Sequence, residues 1–169
     1  MRSLLRAAGP LHPSNLVARS SDHRDLVCIN ASALGHMLKH RQRRFFSTEA
    51  GGQIFGILRN SVLTIVDATG PYPGDHRSRF AYRSDPVKAQ SAISAQAATG
   101  RCYLGEWHTH AEDRPEPSSS DRVAMQGLIQ ASRMPNSDIF LLIVGRIDGP
   151  AGLALFSFAG ASTSRGEFE

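Results

Sequence analysis

Hydrophobic and polar positions follow two different periods along the chain, and the period separates the predicted strands from the predicted helices. Residues 25–30 are a short run of β-branched and apolar residues, which predicts a strand. A tight turn joins two further runs, 53–58 and 62–67, and so predicts a hairpin. The remaining predicted strands cover residues 102–110, 139–144 and 152–158. The run at 139–144 is almost continuously apolar, which is typical of a strand buried on both faces.

Three segments show the spacing and boundary residues of amphipathic helices. The first has Asn30 or Ser32 as its N-cap and ends in a basic run. The second starts at Asp85, a capping residue followed by proline, and stops at Gly100. The third follows Ser118, which is another capping residue. The order strand, helix, hairpin, helix, strand, helix and two strands predicts a mixed α/β sandwich with helices on a curved sheet.

The predicted elements mark a single domain over residues 24–160. We expect residues 1–23 to be a loosely ordered leader, because an arginine and a Gly-Pro pair interrupt its apolar run early. Residues 161–169 are expected to be a polar tail. Residues 68–79 form a long loop rich in glycine and proline, with a short strand expected at 80–82. Loops of this length inside a compact domain are usually functional or mobile.

Composition describes a soluble globular protein with enough chain for one buried core. The chain has 169 residues, of which 41% are hydrophobic and 20% are charged. Its formal net charge is +4, so an acidic partner such as nucleic acid has to be considered. Part of this charge lies in the basic run 39–44, which we interpret as a solvated helix end. A nucleic-acid patch is the alternative interpretation of the same run.

The two cysteines and the hydropathy indicate a cytoplasmic protein. Cys28 and Cys102 each lie in an apolar run, so we expect both to be buried, reduced thiols. Disulfides are rare in the cytosol, and neither cysteine has the spacing of a structural zinc motif. No apolar run approaches the roughly 20 residues that a membrane-spanning helix needs.

The candidate chemistry lies at the end of the predicted strand 102–110. His108 and His110 are separated by one residue, so on an extended strand both imidazoles point to the same face. A loop broken by prolines follows, and Asp121 falls in the first turn of the next helix. Two imidazoles and one carboxylate suit zinc and leave a fourth position for a water, whose pKa would fall from about 15.7 to about 7. The pattern therefore predicts a catalytic zinc site.

The polar and aromatic neighbours of this motif are interpreted as structural or solvent-exposed residues rather than as catalytic ones. Trp107 is expected to be a core or pocket-wall residue rather than a substrate contact. The neighbouring acidic residues are expected to be solvated or to support the site indirectly: Glu106, Glu112, Asp113 and Glu116. Two histidines without an identifiable partner are expected at the surface, His36 and His76.

The full pattern is a glutamate followed by His-x-His-x(7)-Ser-x-x-Asp, and it resembles the zinc site of the JAMM/MPN metalloproteases, also called JAB domains. The resemblance covers about residues 25–160. It implies an α/β fold of MPN/JAB type, with a cytidine-deaminase-like curved mixed β-sheet flanked by helices. The Zn²⁺ ligands that it implies are His108, His110 and Asp121. It further implies that Glu49 is the general base and that Ser118 helps to hold the oxyanion.

The run 103–110 and the following Pro-x-Pro-Ser-Ser-x-Asp are similar to a bacterial branch of this family. That branch includes the deconjugating peptidases of cGAS-like anti-phage (CBASS) operons and of bacterial ubiquitin-like systems. The resemblance implies cleavage after the C-terminus of a ubiquitin-like or cGAS-like protein that is joined to a lysine or to a short extension. The implied partners are this substrate, bound through its extended C-terminal tail, and activating and conjugating enzyme homologues encoded nearby. Residues 68–82 are the candidate strand that pairs with the tail.

Two other functions compete with the isopeptidase hypothesis. A catalytically inactive MPN scaffold is one, although such scaffolds usually lose metal ligands and this chain retains the whole motif. A RadC-like nucleic-acid-associated protein is the other, because RadC-like proteins share a related motif and the chain is basic. The segment before residue 25 leaves no room for a helix-hairpin-helix region, and the basic run is short, so we expect nucleic-acid binding to be absent.

Overall fold

The structure is a computed structural model, and it describes residues 15–20, 26–132 and 138–169. Within these residues the strands are β1 (Leu16–Ser20), β2 (Leu26–Ile29), β3 (Gly51–Arg59), β4 (Val62–Ala68), β5 (His76–Arg77), β6 (Tyr82–Arg83), β7 (Cys102–Thr109), β8 (Ile139–Val144), β9 (Leu153–Ala159) and β10 (Ser162–Phe168). Eight of them close into a barrel in the order β1-β10-β9-β8-β7-β3-β4-β2, and β5 pairs with β6 separately. The barrel is mixed, because the β2–β4 and β7–β8 pairs are parallel and its other pairs are antiparallel.

The helices begin where the sequence predicts. They are α1 (Ala31–Leu38), α2 (Pro86–Ala98) and α3 (Ser119–Ala131), and a short 3-10 helix covers Pro150–Gly152. Asn30 caps α1, since its side chain accepts a hydrogen bond from Ala33 N at 2.8 Å. Asp85 caps α2 in the same way, and Ser118 caps α3. Each described helix is too short or too polar to cross a membrane.

Strand β8 is buried on both faces, as its apolar sequence predicts. Its alternating side chains pack into two different layers. Phe140, Leu142 and Val144 join the cluster that α1 covers, while Leu141 and Ile143 join the cluster that Met125 of α3 covers. The two helices therefore lie on opposite sides of the same strands. Helix α3 packs against β8, which pairs with β7.

Both ends of the described chain differ from the sequence prediction. Residues 16–20 fall in the expected leader but form β1, which pairs with β2 and β10. Residues 162–168 fall in the expected polar tail but form β10, which pairs with β9 and β1. Main-chain hydrogen bonds to two neighbours hold a strand whatever its side chains, and polar residues are tolerated on its outer face. The barrel therefore extends beyond 24–160, while residues 1–14 and 21–25 lie outside the described part.

The long loop after β4 is more ordered than the sequence indicates. The expected strand at 80–82 is displaced to β6, which pairs with β5. Asp75 ties this segment together, because its carboxylate accepts from Tyr72 N at 2.7 Å, Tyr82 Oη at 2.9 Å and Asp85 N at 2.7 Å. We call residues 72–85 the hairpin segment.

The prediction that both cysteines are buried is wrong. Cys28 is half-buried and Cys102 is exposed, and both are free thiols. Cys102 is the first residue of β7, where the strand leaves the packed layers.

Candidate metal centre and adjoining groove

Three side chains converge at the end of β7. His108 Nε2 lies 3.0 Å from His110 Nε2. Asp121 of α3 places Oδ1 3.3 Å from His108 Nε2 and Oδ2 3.3 Å from His110 Nε2. One ligand atom from each residue lies within 4.8 Å of the other two. The structure therefore brings together the three residues predicted to bind the metal, and we call them the ligand cluster.

A capping box fixes Asp121 at the start of α3. Ser118 N donates to Asp121 Oδ2 at 2.7 Å, and Asp121 N donates to Ser118 Oγ at 3.1 Å. Ser118 Oγ also lies 2.8 Å from Ser120 Oγ. The Ser118 hydroxyl is thus a helix cap in this structure, at the edge of the ligand cluster. Its oxyanion role stays a prediction.

Burial and charge favour an ionised Asp121. Burial alone would raise the pKa of Asp121, but hydrogen bonds with His108 and His110 hold this pKa well below its usual range. Burial would lower the pKa of His110, but the hydrogen bond and charge of Asp121, together with the charges of Glu49 and Glu112, outweigh burial and raise this pKa. Two imidazole nitrogens aimed at one point beside a carboxylate are the donor set of a catalytic zinc site with an open position, so the residues fit Zn²⁺.

Glu49 lies next to this cluster, directly before β3. The register pairs Gly51 with His108, and Thr109 N donates to Ala50 O at 2.8 Å. Glu49 N donates to Ser78 O at 2.7 Å, while the Arg77 Nε atom donates to Glu49 O at 2.6 Å. Two residues of the hairpin segment therefore hydrogen-bond to the backbone N–H and to the carbonyl of Glu49. No local sequence pattern predicts these two contacts.

The carboxyl group of Glu49 is suited to exchanging protons near neutral pH. Its residue is 6% exposed. Burial raises the pKa of Glu49 to about 7, with the charges of Asp121 and Glu112 acting in the same direction and His110 opposing them. A carboxyl group with such a pKa can both accept and donate a proton.

The two glycines after Glu49 are required by close packing. A Cβ atom at Gly51 would lie 2.5 Å from Trp107 O and 2.5 Å from Tyr82 Cε1. A Cβ atom at Gly52 would lie 1.8 Å from Thr69 O. Glycine at these two positions lets the start of β3, just after Glu49, pack closely against Trp107, Tyr82 and Thr69.

A groove leads away from the ligand cluster between α2 and α3. Its volume is about 1080 Å³. Its floor is formed by β3 and β7, and its residues include Gln53, Glu106, His108, Asp121, Met125 and Leu128. The groove therefore runs from His108 along β7 towards Cys102, with apolar helix side chains above a partly polar floor.

The floor contains a polar network that the sequence did not reveal. Glu106 accepts from Tyr103 Oη at 2.6 Å and from Gln53 Nε2 at 3.0 Å. Tyr72 Oη donates to Gln53 Oε1 at 2.8 Å. Burial raises the pKa of Glu106 to about 7. The available signal was the alternation of β7, which places Glu106 on the same face as His108.

The positions of the remaining neighbours of the motif agree only in part with those expected from the sequence. Trp107 is fully buried, as expected, and its Nε1 donates to Thr69 O at 2.9 Å. His36 was expected at the surface, but its Nε2 lies 2.6 Å from Gly70 O and its ring packs against Trp107. The loop acids are partly exposed and ion-paired: Asp113 with Arg146, and Glu116 with Arg165.

Comparisons with known proteins agree with this geometry. Residues 30–157 match the family described as prokaryotic homologs of the JAB domain. A "CD-NTase/cGAS isopeptidase" from Vibrio cholerae serotype O1 is 36% identical over 126 residues, which are 73% of this chain and 78% of the relative. A protein with the same name from Pseudomonas aeruginosa is 34% identical over 130 residues, 75% of this chain and 82% of the relative.

A solved structure shares the fold. The solution structure of protein DSY2949 from Desulfitobacterium hafniense superimposes with a TM-score of 0.56 at 19% identity, covering 78% of this chain and 84% of that one. At this identity the likeness concerns the fold alone. The family match spans most of the chain and includes every residue of the ligand cluster. This protein therefore belongs to the JAB-domain family, among its prokaryotic homologs.

Proposed function

We propose that this protein is a zinc-dependent isopeptidase that cuts after the C-terminus of a cGAS-like (CD-NTase) or ubiquitin-like protein. The bond would join that C-terminus to a target lysine or to a short extension, and the setting would be a bacterial anti-phage defence operon of the CBASS type. The observation that carries the proposal is the convergence of His108, His110 and Asp121 beside Glu49. The names of the Vibrio cholerae and Pseudomonas aeruginosa relatives support the substrate class.

The proposed mechanism assigns each polar group one task. The ligand cluster would hold Zn²⁺, which when bound supplies Lewis acidity and lowers the pKa of a water. Glu49 would accept a proton from the attacking water and deliver it to the leaving amine. The Ser118 hydroxyl, at the edge of the cluster, would donate a hydrogen bond to the oxyanion.

The extended tail of the substrate would lie in the groove between α2 and α3. Among the described strands β6 pairs with β5 alone, which leaves its other edge for pairing with an extended peptide. Tyr82 and Arg83 of β6 also line the groove. This arrangement supports a tail-binding role for residues 68–82, with β6 as the pairing edge.

The nucleic-acid hypothesis gains little from the basic run. Arg41 and Arg43 both form ion pairs with Asp148, and the Arg41 side chain is only 4% exposed. Part of the run is therefore neutralised within the fold, rather than presented as a solvated helix end.

Cleavage of a fusion protein tests the proposal. The substrate is the CD-NTase encoded in the same genome, fused at its C-terminus to a fluorescent protein. We expect the zinc-loaded wild type to release the fluorescent protein, and Glu49→Ala to retain zinc and Tm while its rate falls about 100-fold or more. Glu116→Gln is the matched control. It changes an exposed carboxylate in the loop between β7 and α3, and it should keep full activity. A wild type that binds zinc but leaves the fusion intact would instead support the inactive scaffold.

A further inference from the structure

Three exposed phenylalanines lie on two segments that meet at Glu49: Phe45 and Phe46 precede it in the chain, and Phe80 follows Ser78, whose carbonyl accepts from Glu49 N. Phe45 is 82% exposed, Phe46 is 76% exposed and Phe80 is 77% exposed. The guanidinium group of Arg79 lies 4.6 Å from the ring centroid of Phe45 and 5.4 Å from that of Phe80. We call Phe45, Phe46, Arg79 and Phe80 the aromatic surface. Clustered large apolar side chains in solvent mark interaction sites, whereas single ones do not.

A buried glutamine connects the aromatic surface to the rest of the fold through hydrogen bonds. Gln42 is 1% exposed, and its Nε2 donates to Ser47 O at 3.1 Å and to Arg79 O at 2.9 Å. Its Oε1 accepts from Thr109 Oγ1 at 3.3 Å. Thr109 stands between the two histidines of the ligand cluster. The aromatic surface is therefore tied to the strand that carries the candidate metal ligands.

The aromatic surface and the groove are built from different parts of the chain around the ligand cluster. The groove follows β7 from His108 towards Cys102, with Gln53 of the neighbouring strand β3 beside it. The aromatic surface belongs to the segment before Glu49 and to the tip of the hairpin segment, where Ser78 O accepts from Glu49 N. A tail in the groove would thus end at the ligand cluster, and the chain beyond the cut bond would pass over the aromatic surface.

The charge of the surface defines the chemistry of its partner. Within the described residues, neither Arg44 nor Arg79 forms an ion pair with a carboxylate, in contrast to Arg41 and Arg43. Three aromatic rings and the Arg79 guanidinium group, with Arg44 next to Phe45 in the chain, are complementary to a segment that is both apolar and acidic. A second copy of the same cationic surface would be repelled.

We propose that the aromatic surface binds the target protein on the leaving-group side of the bond, at an acidic and apolar segment around the modified lysine. This inference rests on the proposed isopeptidase function. Under this proposal the enzyme selects the target protein that carries the modified lysine, in addition to binding the C-terminal tail of the modifier.

Branched synthetic peptides test this selectivity. The tail peptide is the C-terminal segment of the CD-NTase encoded in the same genome, joined through its terminal carboxyl to the ε-amine of a lysine. Three leaving groups are compared: a capped lysine alone, the lysine within an acidic and aromatic peptide, and the same peptide with basic residues in place of the acidic ones. The enzymes are wild type, Phe45→Ser, Phe80→Ser, Arg44→Glu and Glu49→Ala.

We expect wild type to cut the acidic branched peptide with a kcat/KM about tenfold above that of the capped lysine, as a few well-placed anchors provide. The basic peptide should gain nothing. Phe45→Ser, Phe80→Ser and Arg44→Glu should lower the value for the acidic peptide to within about twofold of the capped lysine. For Phe45→Ser and Arg44→Glu, the rate on the capped lysine and the Tm should match wild type, because both side chains are exposed. Phe80 lies in the segment proposed to bind the tail, so for Phe80→Ser only the ratio between the acidic peptide and the capped lysine is compared.

Two matched controls lie far from the surface. Leu58 is an exposed apolar residue seven positions along β3 from Gly51, which is about 23 Å of strand. Leu58→Ser should keep the preference for the acidic peptide, and so should the charge reversal Arg59→Glu at the next position.

Several outcomes would overturn the inference. One is equal cleavage of the acidic and basic peptides, and another is a preference that survives Phe45→Ser and Phe80→Ser. Binding of a single-stranded oligonucleotide that Phe45→Ser abolishes would assign the surface to nucleic acid instead, and a dimer that Phe80→Ser dissociates would assign it to self-association. If wild type cuts the capped lysine and Glu49→Ala does not, the isopeptidase function stands whichever result the surface variants give. If wild type cuts none of the peptides, both proposals fail.

Discussion

Asp121 has two structural tasks, which a single substitution can separate. Its carboxylate accepts from Ser118 N to cap α3, and both of its oxygens lie 3.3 Å from a histidine Nε2. An amide oxygen can still accept from Ser118 N, so Asn at this position keeps the cap. The same amide lacks the negative charge that a cation requires of this group. Asp121→Asn therefore tests the metal site with little disturbance of the helix.

We expect Zn²⁺ to stabilise the wild type and to have no effect on Asp121→Asn. Zinc at 100 times its Kd stabilises a folded protein by about 2.7 kcal/mol. For a chain of this length that is roughly 5–11 °C in Tm. The measurements are thermal denaturation with and without Zn²⁺, and metal content after dialysis. His108→Ala should behave like Asp121→Asn, whereas Asp113→Asn should bind zinc normally. An unchanged zinc content in Asp121→Asn would remove Asp121 from the proposed ligand set.

Residues with a fixed local spacing could be predicted from the sequence, whereas residues that meet from distant segments could not, except for Glu49, which the family resemblance indicated. The histidines and Asp121 come together because a strand, a loop and a capped helix hold them within one short stretch. Gln42 reaches Thr109 across 67 positions, and Arg77 reaches Glu49 across 28. Nothing near Gln42 or Arg77 in the sequence encodes these contacts, because they depend on how the barrel brings separate elements together.

Among the secondary-structure elements, the hairpin segment has the strongest influence on the candidate chemistry. Residues 68–82 were expected to form a strand that pairs with the substrate tail; in addition, Ser78 O and the Arg77 guanidinium hold the backbone of Glu49. Its own shape is held by Asp75, which receives three hydrogen bonds. The segment therefore supports the proposed general base, Glu49, and also lines the groove through Tyr82 and Arg83.

Arg77→Ala should lower kcat and leave KM unchanged. Loss of the bond to Glu49 O frees the backbone of the proposed general base, and misplacement by about 1 Å costs up to roughly 100-fold in rate. Steady-state kinetics on the CD-NTase fusion separate the two constants. Arg77→Lys should restore part of kcat, since an ammonium group can donate to the same carbonyl. His76→Ala, the neighbouring exposed change on β5, should have no effect. An equal rise in KM would show that Arg77 contacts substrate directly.

The start of β3 is a second element whose packing can be tested, through its glycines. Gly52→Ala should destabilise the fold by about 1–3 kcal/mol, because its Cβ would meet the backbone oxygen of Thr69 at 1.8 Å. Gly127→Ala is the matched control, since it lies within α3 and has no atom within 4 Å of the added Cβ. Alanine in a helix interior is favoured over glycine by roughly 0.5–1 kcal/mol, so this variant should be slightly more stable. Chemical denaturation measures both. Equal stability of the two variants would contradict the close approach of β3 to Thr69.

At the scale of the whole molecule, the ends of the described chain close the barrel. Strand β10 lies between β9 and β1, and Arg19 pairs with Glu169 at 3.0 Å. The sequence could not reveal this closure, because strand prediction relies on apolar side chains and β10 has few. Apolar strands such as β8, which lie inside two packed layers, were found without difficulty. What identifies β10 is its two sets of main-chain partners, which only the assembled barrel supplies.

Removal of residues 161–169 should therefore destabilise the fold, whereas a free polar tail would be removed without cost. The deletion exposes the backbone of β9 and β1, and it removes Phe168, which packs against the core cluster that α1 covers. Burial of a phenylalanine side chain contributes up to about 3 kcal/mol when it is complete. The partly buried Phe168 alone should then account for a fall of several degrees in Tm. Phe168→Ser measures the contribution of Phe168 to the stability by itself. Thr163→Ser, at an exposed position of β10, is the matched control. Thermal denaturation and the yield of soluble monomer are the measurements. A deletion with the Tm of wild type would show that β10 does not close the barrel in solution, and the site would then rest on the seven remaining strands.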